Sequence, residues 1–456
     1  MTQPSTPSFK VVQVCSVAPL QGPTLSTTPT SLPLTFFDLL WLRFPPVERL
    51  FFYSFPHSSS SFFDSVLPAL KHSLSLTLQH FLPFAGNITW PHDSSIPIIN
   101  YFPGDAVSFT VAESNANFTH LCSHLCEAEK RQPLIPHLNT SHEQASVLAL
   151  QVTVFPNSGF CIGITTHHAA FDGKSSTLFM KSWAYACSNN LGESSSLSLP
   201  QHLTPFFDRS VIKDPEGISQ AYVDAWMNHG GSNNRSLKVW ESINATPSDA
   251  VKGLFELTPS HIEKLKQHAN SKMKTKVKLS TFSVTCAYVL ACLVKAEQPK
   301  TNRIVFIFSV DCRSRLDPPI PATYFGNCVG GQMVVAETKD LVENDGFITT
   351  LEGINEALIR VKDGVLNGAK DLVSNMQKAT TDRIFSTAGS PWFEVYSTDF
   401  GWGRPKKVDM ASIDRTGAFS LSESRNNDGG IEIGLVLCKR EMEAFSTLFV
   451  QGLESF

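Results

Sequence analysis

Residues 148–174 carry the sequence LALQVTVFPNSGFCIGITTHHAAFDGK, and this stretch predicts a buried β-hairpin followed by a polar motif. Apolar residues alternate with smaller or polar ones over 148–154 and again over 160–164, and the two runs are separated by PNSG at 156–159. Alternation with a period of two is typical of a β-strand, and a turn sequence between two such runs predicts a hairpin. His168 therefore follows directly after a buried hairpin.

His168 is a candidate general base. A neutral imidazole can take a proton near neutral pH when it is held in one tautomer beside a substrate hydroxyl. Asp172 follows four residues later. It could serve His168 as a dyad partner, or it could orient the loop by pairing with a cation. The spacing alone is weak evidence, because a histidine and an aspartate four residues apart occur by chance in many chains.

Metal binding is a second interpretation of the polar side chains. His168 and Asp172 supply two ligands, whereas catalytic zinc takes three protein ligands and an open position, and the chain has no HExxH or CxxC motif. A second group of metal-ligand types spans 120–126, as His120, Cys122, His124 and Cys126. On a continuous helix, side chains two positions apart point roughly 200° away from one another, so these four cannot converge. We therefore predict no metal site.

A second distinctive segment is DFGWGRP at 399–405. Its two glycines let the backbone turn tightly and carry the Trp402 indole against another surface, while Asp399 brings a charge that needs hydrogen-bond donors. From the residues alone, a structural corner is the simplest interpretation of this segment.

Taken together, HHxxxDG at 167–173 and DFGWG at 399–403 resemble the two hallmark motifs of the plant BAHD acyltransferases, and the resemblance covers nearly the whole chain. Four further segments match in order: LPLTFFD at 32–38, LPFAG at 82–86, VDCR at 310–313 and YFGNC at 324–328. The last is similar to a motif of the branch that acylates the sugars of anthocyanins and other flavonoid glycosides.

The resemblance implies transfer of an acyl group from a coenzyme A thioester to an acceptor hydroxyl at His168, without a covalent acyl-enzyme. It also implies an α/β fold of two similar-sized domains, each a mixed β-sheet with flanking helices as in chloramphenicol acetyltransferase, with the active-site channel between them. The coenzyme would be a substrate, and no bound cofactor is expected.

The resemblance further suggests roles for charged and aromatic residues of the two motifs. The Trp402 indole N–H is a candidate donor to the oxyanion, and Asp399 is functional but more architectural than a proton carrier. Arg313, in a segment similar to the DxR pattern of the family, is the cation that we expect to pair with Asp172 in a structural role.

The same resemblance suggests candidate substrate contacts. Ser280 and Thr281 look like a helix cap after a lysine-rich stretch, and with Lys266 they are predicted to hold the phosphates of coenzyme A. Tyr324 and Asn327 are predicted to line the substrate pocket, where the glycine between them allows close approach of the backbone.

The acyl group is predicted to be malonyl, because YFGNC and the run that begins at Gly173-Lys174 resemble the branch that frequently uses malonyl-coenzyme A. A malonyl carboxylate needs a cation, and Lys174 is close to His168 in sequence. A solvated loop lysine is an equally good interpretation of Lys174. Hydroxycinnamoyl or another acyl donor, and a non-catalytic glycoside-binding homologue, remain as alternatives.

Composition agrees with a two-domain enzyme. At 456 residues the chain is too long for one core, and we expect an N-terminal domain at 1–205, a crossover segment at 206–236 and a C-terminal domain at 237–456. Helices are predicted over 175–187, 261–270 and 280–295, and strands over 303–311 and 431–437.

The net charge and the N-terminal segment bear on the partners and the compartment. The formal charge of −4 gives no basic field for nucleic acid or anionic membranes. The resemblance implies the acyl-coenzyme A and a small glucoside as partners. Residues 1–29 lack the pattern of an export signal, and charged residues interrupt the apolar run at 32–55. We expect a cytosolic monomer without membrane attachment, its ten scattered cysteines reduced.

Overall fold

The computed structural model describes residues 8–20, 28–189, 197–243, 246–273, 278–343, 345–372, 382–426 and 428–455. The chain divides into two compact units. The first comprises Met1–Ile243, Asp317–Cys328 and Phe393–Ser412, and the second comprises Asn244–Leu316, Val329–Trp392 and Ile413–Phe456. The YFGNC and DFGWG segments therefore belong to the same unit as HHxxxDG, although they lie far from it in sequence.

The described strands are, in chain order, β1 Phe9–Val17, β2 Ser31–Pro33, β3 Val47–Ser54, β4 Asn87–Thr89, β5 Ile98–Asn100, β6 Val107–Ser114, β7 Leu125–Glu127, β8 Gln144–Ser146, β9 Leu148–Phe155, β10 Gly159–Thr166, β11 Ala250–Leu257, β12 Arg303–Asp311, β13 Val329–Glu337, β14 Arg383–Gly389, β15 Lys407–Met410, β16 Phe419–Glu423 and β17 Ile431–Cys438.

The main sheet of the first unit has the strand order β1-β6-β9-β10-β3-β15. The predicted hairpin is confirmed: β9 and β10 pair antiparallel from Gly159 opposite Phe155 to Thr166 opposite Leu148. Every residue of both strands is buried, as the near-continuous apolar content of a central strand requires. β6 and β9 are parallel, so the sheet is mixed. A smaller sheet has the order β2-β5-β4-β8.

The helix predicted over 175–187 is also confirmed, as Gly173–Ser188. Phe179 and Trp183 on this helix are fully buried, and the Trp183 Nε1 donates a hydrogen bond of 3.1 Å to the Leu70 carbonyl on the helix Leu67–Leu78. This packing fixes the helix that begins directly after the HHxxxDG motif.

The second unit has its own mixed sheet, in which six strands lie in the order β13-β12-β14-β16-β17-β11. β12 is parallel to β14, and β14 is parallel to β16, while the remaining neighbours are antiparallel. The predicted strands at 303–311 and 431–437 correspond to β12 and β17, and the predicted helices correspond to Pro259–Lys272 and Thr281–Glu297.

The α-helices of the first unit, within the described residues, are Phe36–Leu39, Ser59–Ser61, Leu67–Leu78, Leu82–Ala85, Phe118–Leu121, Gly173–Ser188 and Ile218–Asn228. Those of the second unit are Pro259–Lys272, Thr281–Glu297, Thr338–Glu343, Gly346–Arg360, Ile413–Thr416 and Lys439–Ser455.

The predicted fold class is confirmed, because each unit combines a mixed sheet with flanking helices. Among the helices that the structure describes, none has the length and apolar content needed to cross a lipid bilayer.

Candidate active site

His168 lies in a tight turn between β10 and the helix Gly173–Ser188. The His167 amide donates a hydrogen bond of 2.9 Å to the Val147 carbonyl, and the Ala170 amide donates one of 3.0 Å to the His167 carbonyl. Ala169 and Ala170 are fully buried, so larger side chains would find no room here. The turn therefore holds the backbone on both sides of His168.

Asp172 caps the helix that follows. Its Oδ1 accepts a hydrogen bond of 3.0 Å from the Ser175 amide, and its Oδ2 accepts one of 3.1 Å from the Cys328 amide. The first bond is an N-cap, which satisfies a backbone donor that the helix leaves unpaired. The second ties the motif to the YFGNC segment. Asp172 thus holds backbone in place through two amide groups, while its predicted pairing with a cation stays a prediction.

The His168 side chain is partly buried, and its Nδ1 is fully buried without a hydrogen-bond partner among the described residues. Among the described residues no hydrogen bond joins Nδ1 to a carboxylate, although the charge of Asp172 acts to raise the pKa of His168, so the His–Asp dyad stays a prediction. Because Nδ1 is closed off, Nε2 is the nitrogen that can meet a substrate hydroxyl. Burial lowers the pKa of His168 from 6.5 to about 4, so the imidazole is neutral at pH 7.

Trp41 covers one face of this imidazole. The two rings are parallel, with 4.0 Å between their centroids and 2° between their planes. Trp41 follows the short helix Phe36–Leu39, and its indole also meets the Phe44 ring edge-on at 5.2 Å. The sequence analysis did not select Trp41, because nothing in its local pattern marks it as a partner of a residue 127 positions away.

Asn327 of the YFGNC segment fixes the main chain of His168. Its Nδ2 donates hydrogen bonds of 2.9 Å to the His168 carbonyl and 3.0 Å to the Asp38 Oδ1. The Asn327 amide donates a further bond of 2.9 Å to the same Asp38 oxygen. Through these contacts Asn327 supports the turn that carries His168, and its predicted place in the substrate pocket stays a prediction.

Asp38 is fully buried, and its other oxygen pairs with the Arg209 Nη1 at 3.2 Å. Arg209 Nη1 also donates a hydrogen bond of 2.7 Å to the Tyr324 hydroxyl, and burial raises the pKa of Tyr324 to about 12. At Gly326, where φ is +145°, an added Cβ would collide with the Arg209 guanidinium. Tyr324, predicted to contact substrate, is thus held on this buried arginine.

Sequence reasoning missed Asp38 and Arg209 as parts of the site. Asp38 is a charged residue within the apolar run at 32–55. This position was a usable signal, because a buried carboxylate requires partners. Arg209 lies in the segment predicted to cross between domains, and no pattern in that segment distinguishes it.

The DFGWG segment forms a turn of its own. The Asp399 Oδ1 accepts hydrogen bonds of 2.8 Å from the Gly401 amide and 2.9 Å from the Gly403 amide. Both glycines have positive φ, at 102° and 91°, which other residues rarely adopt. Asp399 therefore fixes a local turn, in agreement with its predicted architectural role.

The structure does not bring Trp402 to His168. The Trp402 indole meets the Phe160 ring edge-on at 6.0 Å. Phe160 is the second residue of β10, whereas His168 follows the other end of that strand. At about 3.3 Å per residue, Phe160 and Thr166 are roughly 20 Å apart. An N–H that stabilises the oxyanion must lie within hydrogen-bonding distance, so Trp402 does not have the position its predicted role needs.

Three of the predicted donor contacts come together in the second unit. Ser280 is the N-cap of the helix Thr281–Glu297 and accepts a hydrogen bond of 3.0 Å from the Ser283 amide. Lys266 Nζ donates to the Thr281 Oγ1 at 3.4 Å. A lysine beside a helix N-terminus combines a positive charge with free amide donors, which suits a phosphate group.

Two further predicted residues are charged. Lys174 lies in the first turn of the helix Gly173–Ser188 and is partly exposed. Arg313 is buried in the second unit, where its Nη1 pairs with the Asp311 Oδ1 at 3.1 Å. Its predicted pairing with Asp172, which is a residue of the first unit, stays a prediction.

The histidine and cysteine group at 120–126 does not lie on one helix. The helix Phe118–Leu121 ends before Cys122, and Cys126 and Glu127 belong to β7. His120, Cys126 and Glu127 therefore bring ligand atoms within 4.8 Å of one another, which the assumption of a continuous helix excluded. The Glu127 carboxylate already pairs with Lys130 at 2.8 Å and with His120 at 2.7 Å, and these hydrogen bonds lower its pKa to about 2. Lys130 competes with any cation at this position.

Comparison with known proteins agrees with these observations. Residues 21–451 match the model of the Transferase family. The chain is 39% identical to phenolic glucoside malonyltransferase 1 of Arabidopsis thaliana over 98% of each protein. It is 37% identical to agmatine coumaroyltransferase of the same plant, over 98% of this chain and 99% of that one. Among solved structures, vinorine synthase superposes with a TM-score of 0.68 at 21% identity over 96% of each chain, which supports the fold.

The matched length and the identity to these full-length relatives are far above what a shared fold alone produces. HHxxxDG, YFGNC and DFGWG belong to one unit, and the first two meet around a neutral histidine. The chain therefore belongs to the BAHD acyltransferases, and it is a coenzyme A-dependent acyltransferase.

Proposed function

We propose that this enzyme transfers the malonyl group of malonyl-coenzyme A to a sugar hydroxyl of a phenolic or flavonoid glucoside. The observation that carries the reaction type is the neutral His168 imidazole, whose Nδ1 is buried, which leaves Nε2 as the nitrogen for the acceptor hydroxyl in this proposal. The glucoside and the malonyl group are supported by the 39% identical relative of that name and by the YFGNC segment.

In the proposed mechanism, His168 Nε2 removes the proton of the acceptor hydroxyl as its oxygen attacks the thioester carbonyl. The tetrahedral intermediate then collapses, the carbon–sulfur bond breaks, and the imidazolium returns the proton to the departing thiolate. The products are the malonate ester and free coenzyme A. General base catalysis of this kind contributes about 10²–10⁴-fold to the rate.

The other residues have supporting roles in this proposal. Lys266, Ser280 and Thr281 hold the phosphates of the donor, and Lys174 pairs with the malonyl carboxylate. Asp399 and Trp402 maintain the turn at 399–403 and take no part in proton transfer. A buried, neutral histidine also argues against a non-catalytic binding protein, because binding a glycoside does not require a base.

Hydroxycinnamoyl transfer is the second candidate function, and the 37% identity to agmatine coumaroyltransferase favours it. The two relatives differ in both the acyl group and the acceptor, so only an assay with both kinds of substrate separates these candidates.

The deciding experiment crosses malonyl-, acetyl- and coumaroyl-coenzyme A with phenolic glucosides, flavonoid glucosides and agmatine, and identifies products by mass. We expect malonylated glucosides as the main products. Coumaroylation of agmatine as the main reaction would instead establish the second candidate, and the absence of any ester or amide would contradict both.

The same assay tests the base. His168→Ala should keep its melting temperature and lose about 10²–10⁴-fold in kcat. His120→Ala, a change of a histidine that pairs with Glu127 on the surface, is the matched control and should keep the parental rate. A His168→Ala enzyme within a few-fold of the parent would remove His168 from the mechanism.

A further inference from the structure

The rings of Trp41 and His168 are stacked face to face and nearly parallel. The ring planes differ by 2° at a centroid distance of 4.0 Å. The Trp41 Nε1 is buried and has no hydrogen-bond partner among the described residues, so packing rather than a hydrogen bond sets the plane of its indole. The indole thus presents the centre of its π face to the imidazole.

This contact addresses an energetic difficulty in the mechanism. His168 must become an imidazolium when it takes the acceptor proton, and its environment opposes that charge because the ring is largely removed from water. A carboxylate on Nδ1 usually offsets this cost in histidine bases. Here Nδ1 has no hydrogen-bond partner within the part of the chain that the structure describes. The Asp172 charge, the Asn327 side chain and the His168 main chain favour the cation, but burial outweighs them and keeps the pKa near 4, so a further stabilising group lowers the cost.

We propose that Trp41 stabilises the imidazolium of His168 through its π face and so takes the place of the acid of a catalytic dyad. The proposal rests on the proposed role of His168 as the base. An indole offers the strongest cation–π interaction of the aromatic side chains, and the interaction is stronger where water is excluded. Trp41 touches no reacting atom, so it is a positioning residue that acts through His168.

The other groups around the base supply only part of this stabilisation, because the Asp172 charge and the Asn327 side chain raise the pKa of His168 less than burial lowers it. His167, at the end of β10, is fully buried, and burial lowers its pKa to about 3, so it is neutral. The Asp172 carboxylate accepts hydrogen bonds from two backbone amides. Asp38 pairs with Arg209, which also holds Tyr324, and Asn327 links Asp38 to the His168 carbonyl. All these side chains are unchanged in the test below.

The test places mono-, di- and trifluorinated tryptophan at position 41 by site-specific incorporation. Fluorine withdraws electron density from the π face and leaves the shape of the ring nearly unchanged, so folding is preserved. We expect kcat to fall stepwise with each fluorine, by about 2- to 30-fold in total, with little change in KM for the donor. In the free enzyme, the pKa of labelled His168 measured by NMR should fall in the same order.

The control is the same fluorinated series at Trp90, whose ring lies 5.2 Å from the Arg235 guanidinium. Fluorination at Trp90 should leave kcat unchanged. Constant kcat and constant His168 pKa across the series at position 41 would overturn the proposal, even if Trp41→Leu lost activity through packing. The NMR titration needs no substrate, so it is independent of the proposed function. An active His168→Ala enzyme would refute the base itself rather than the role of Trp41.

Discussion

At the scale of single residues, the environment of His168 determines the pH range of the enzyme. Burial lowers its pKa to about 4, whereas an unperturbed histidine titrates near 6.5. In the proposed mechanism the neutral form is the active one, and it predominates above the pKa. A lowered pKa therefore extends the active range toward acid.

The first prediction concerns this range. kcat/KM should stay nearly constant between pH 7 and pH 5.5, because the free enzyme keeps His168 neutral there. A base with the ordinary pKa would lose about tenfold over the same interval. Initial rates at low substrate concentration, with circular dichroism at each pH to verify folding, measure the profile. An acid limb centred near pH 6.5 would contradict the burial argument.

The second prediction concerns Lys174 and the choice of donor. If its ammonium pairs with the malonyl carboxylate, Lys174→Ala should reduce malonyl transfer about 10- to 100-fold more than acetyl transfer, since a charge-assisted contact contributes about 1.5–3 kcal/mol. Lys181→Ala is the control on the same helix, because Lys181 pairs with Glu394. Equal loss with both donors would mean that Lys174 only supports the turn.

At the scale of elements, hydrogen-bonded carboxylates fix the segments around the site. Asp172 begins the helix Gly173–Ser188 and holds the YFGNC segment, while Asp399 closes the DFGWG turn. In each case the side chain satisfies backbone amides that the local conformation leaves without partners. Motif residues of this kind act on activity through the geometry of the backbone.

The third prediction separates architecture from chemistry in DFGWG. Asp399→Ala should lower the free energy of unfolding by about 1–3 kcal/mol, since two amides lose their acceptor. Trp402→Phe should keep most of kcat, because its ring lies against Phe160, roughly 20 Å along β10 from the end that precedes His168. Chemical denaturation and steady-state rates measure the two effects. A Trp402→Phe enzyme that folds normally but loses 100-fold in kcat would revive the oxyanion role.

At the scale of the whole molecule, the residues proposed for the base and for the donor phosphates belong to different units. His168 and its supports lie in the first unit, and Lys266, Ser280 and Thr281 lie in the second. Changes in the second set should therefore alter donor binding without altering the base.

The fourth prediction follows from this division. Lys266→Ala should raise KM for the acyl-coenzyme A about 10-fold or more, and leave KM for the glucoside and the acid limb of the pH profile unchanged. Lys264→Ala, an exposed neighbour on the same helix, is the matched control. Kinetics with each substrate varied in turn measure both constants. An equal rise in both KM values would mean that Lys266 contributes to the stability of the protein rather than to binding of the donor.

The sequence by itself determined the elements and the type of chemistry. The β9–β10 hairpin follows from alternation with a period of two, and the helix after Asp172 follows from helical periodicity, because both signals depend on neighbours within a few residues. The motifs HHxxxDG and DFGWG identified the family, which the matched relatives confirm.

Only the tertiary structure decided which side chains meet His168. Trp41 and Asn327 lie 127 and 159 positions from it in sequence, and their contacts depend on how separate elements pack. From sequence alone it was likewise not possible to tell that Trp402 lies far from His168. The two are separated by the length of β10, and this separation is known only when the strand is placed in the sheet. Local patterns report local periodicity, whereas long-range contacts arise from the burial of whole faces, and no short stretch of sequence encodes those contacts.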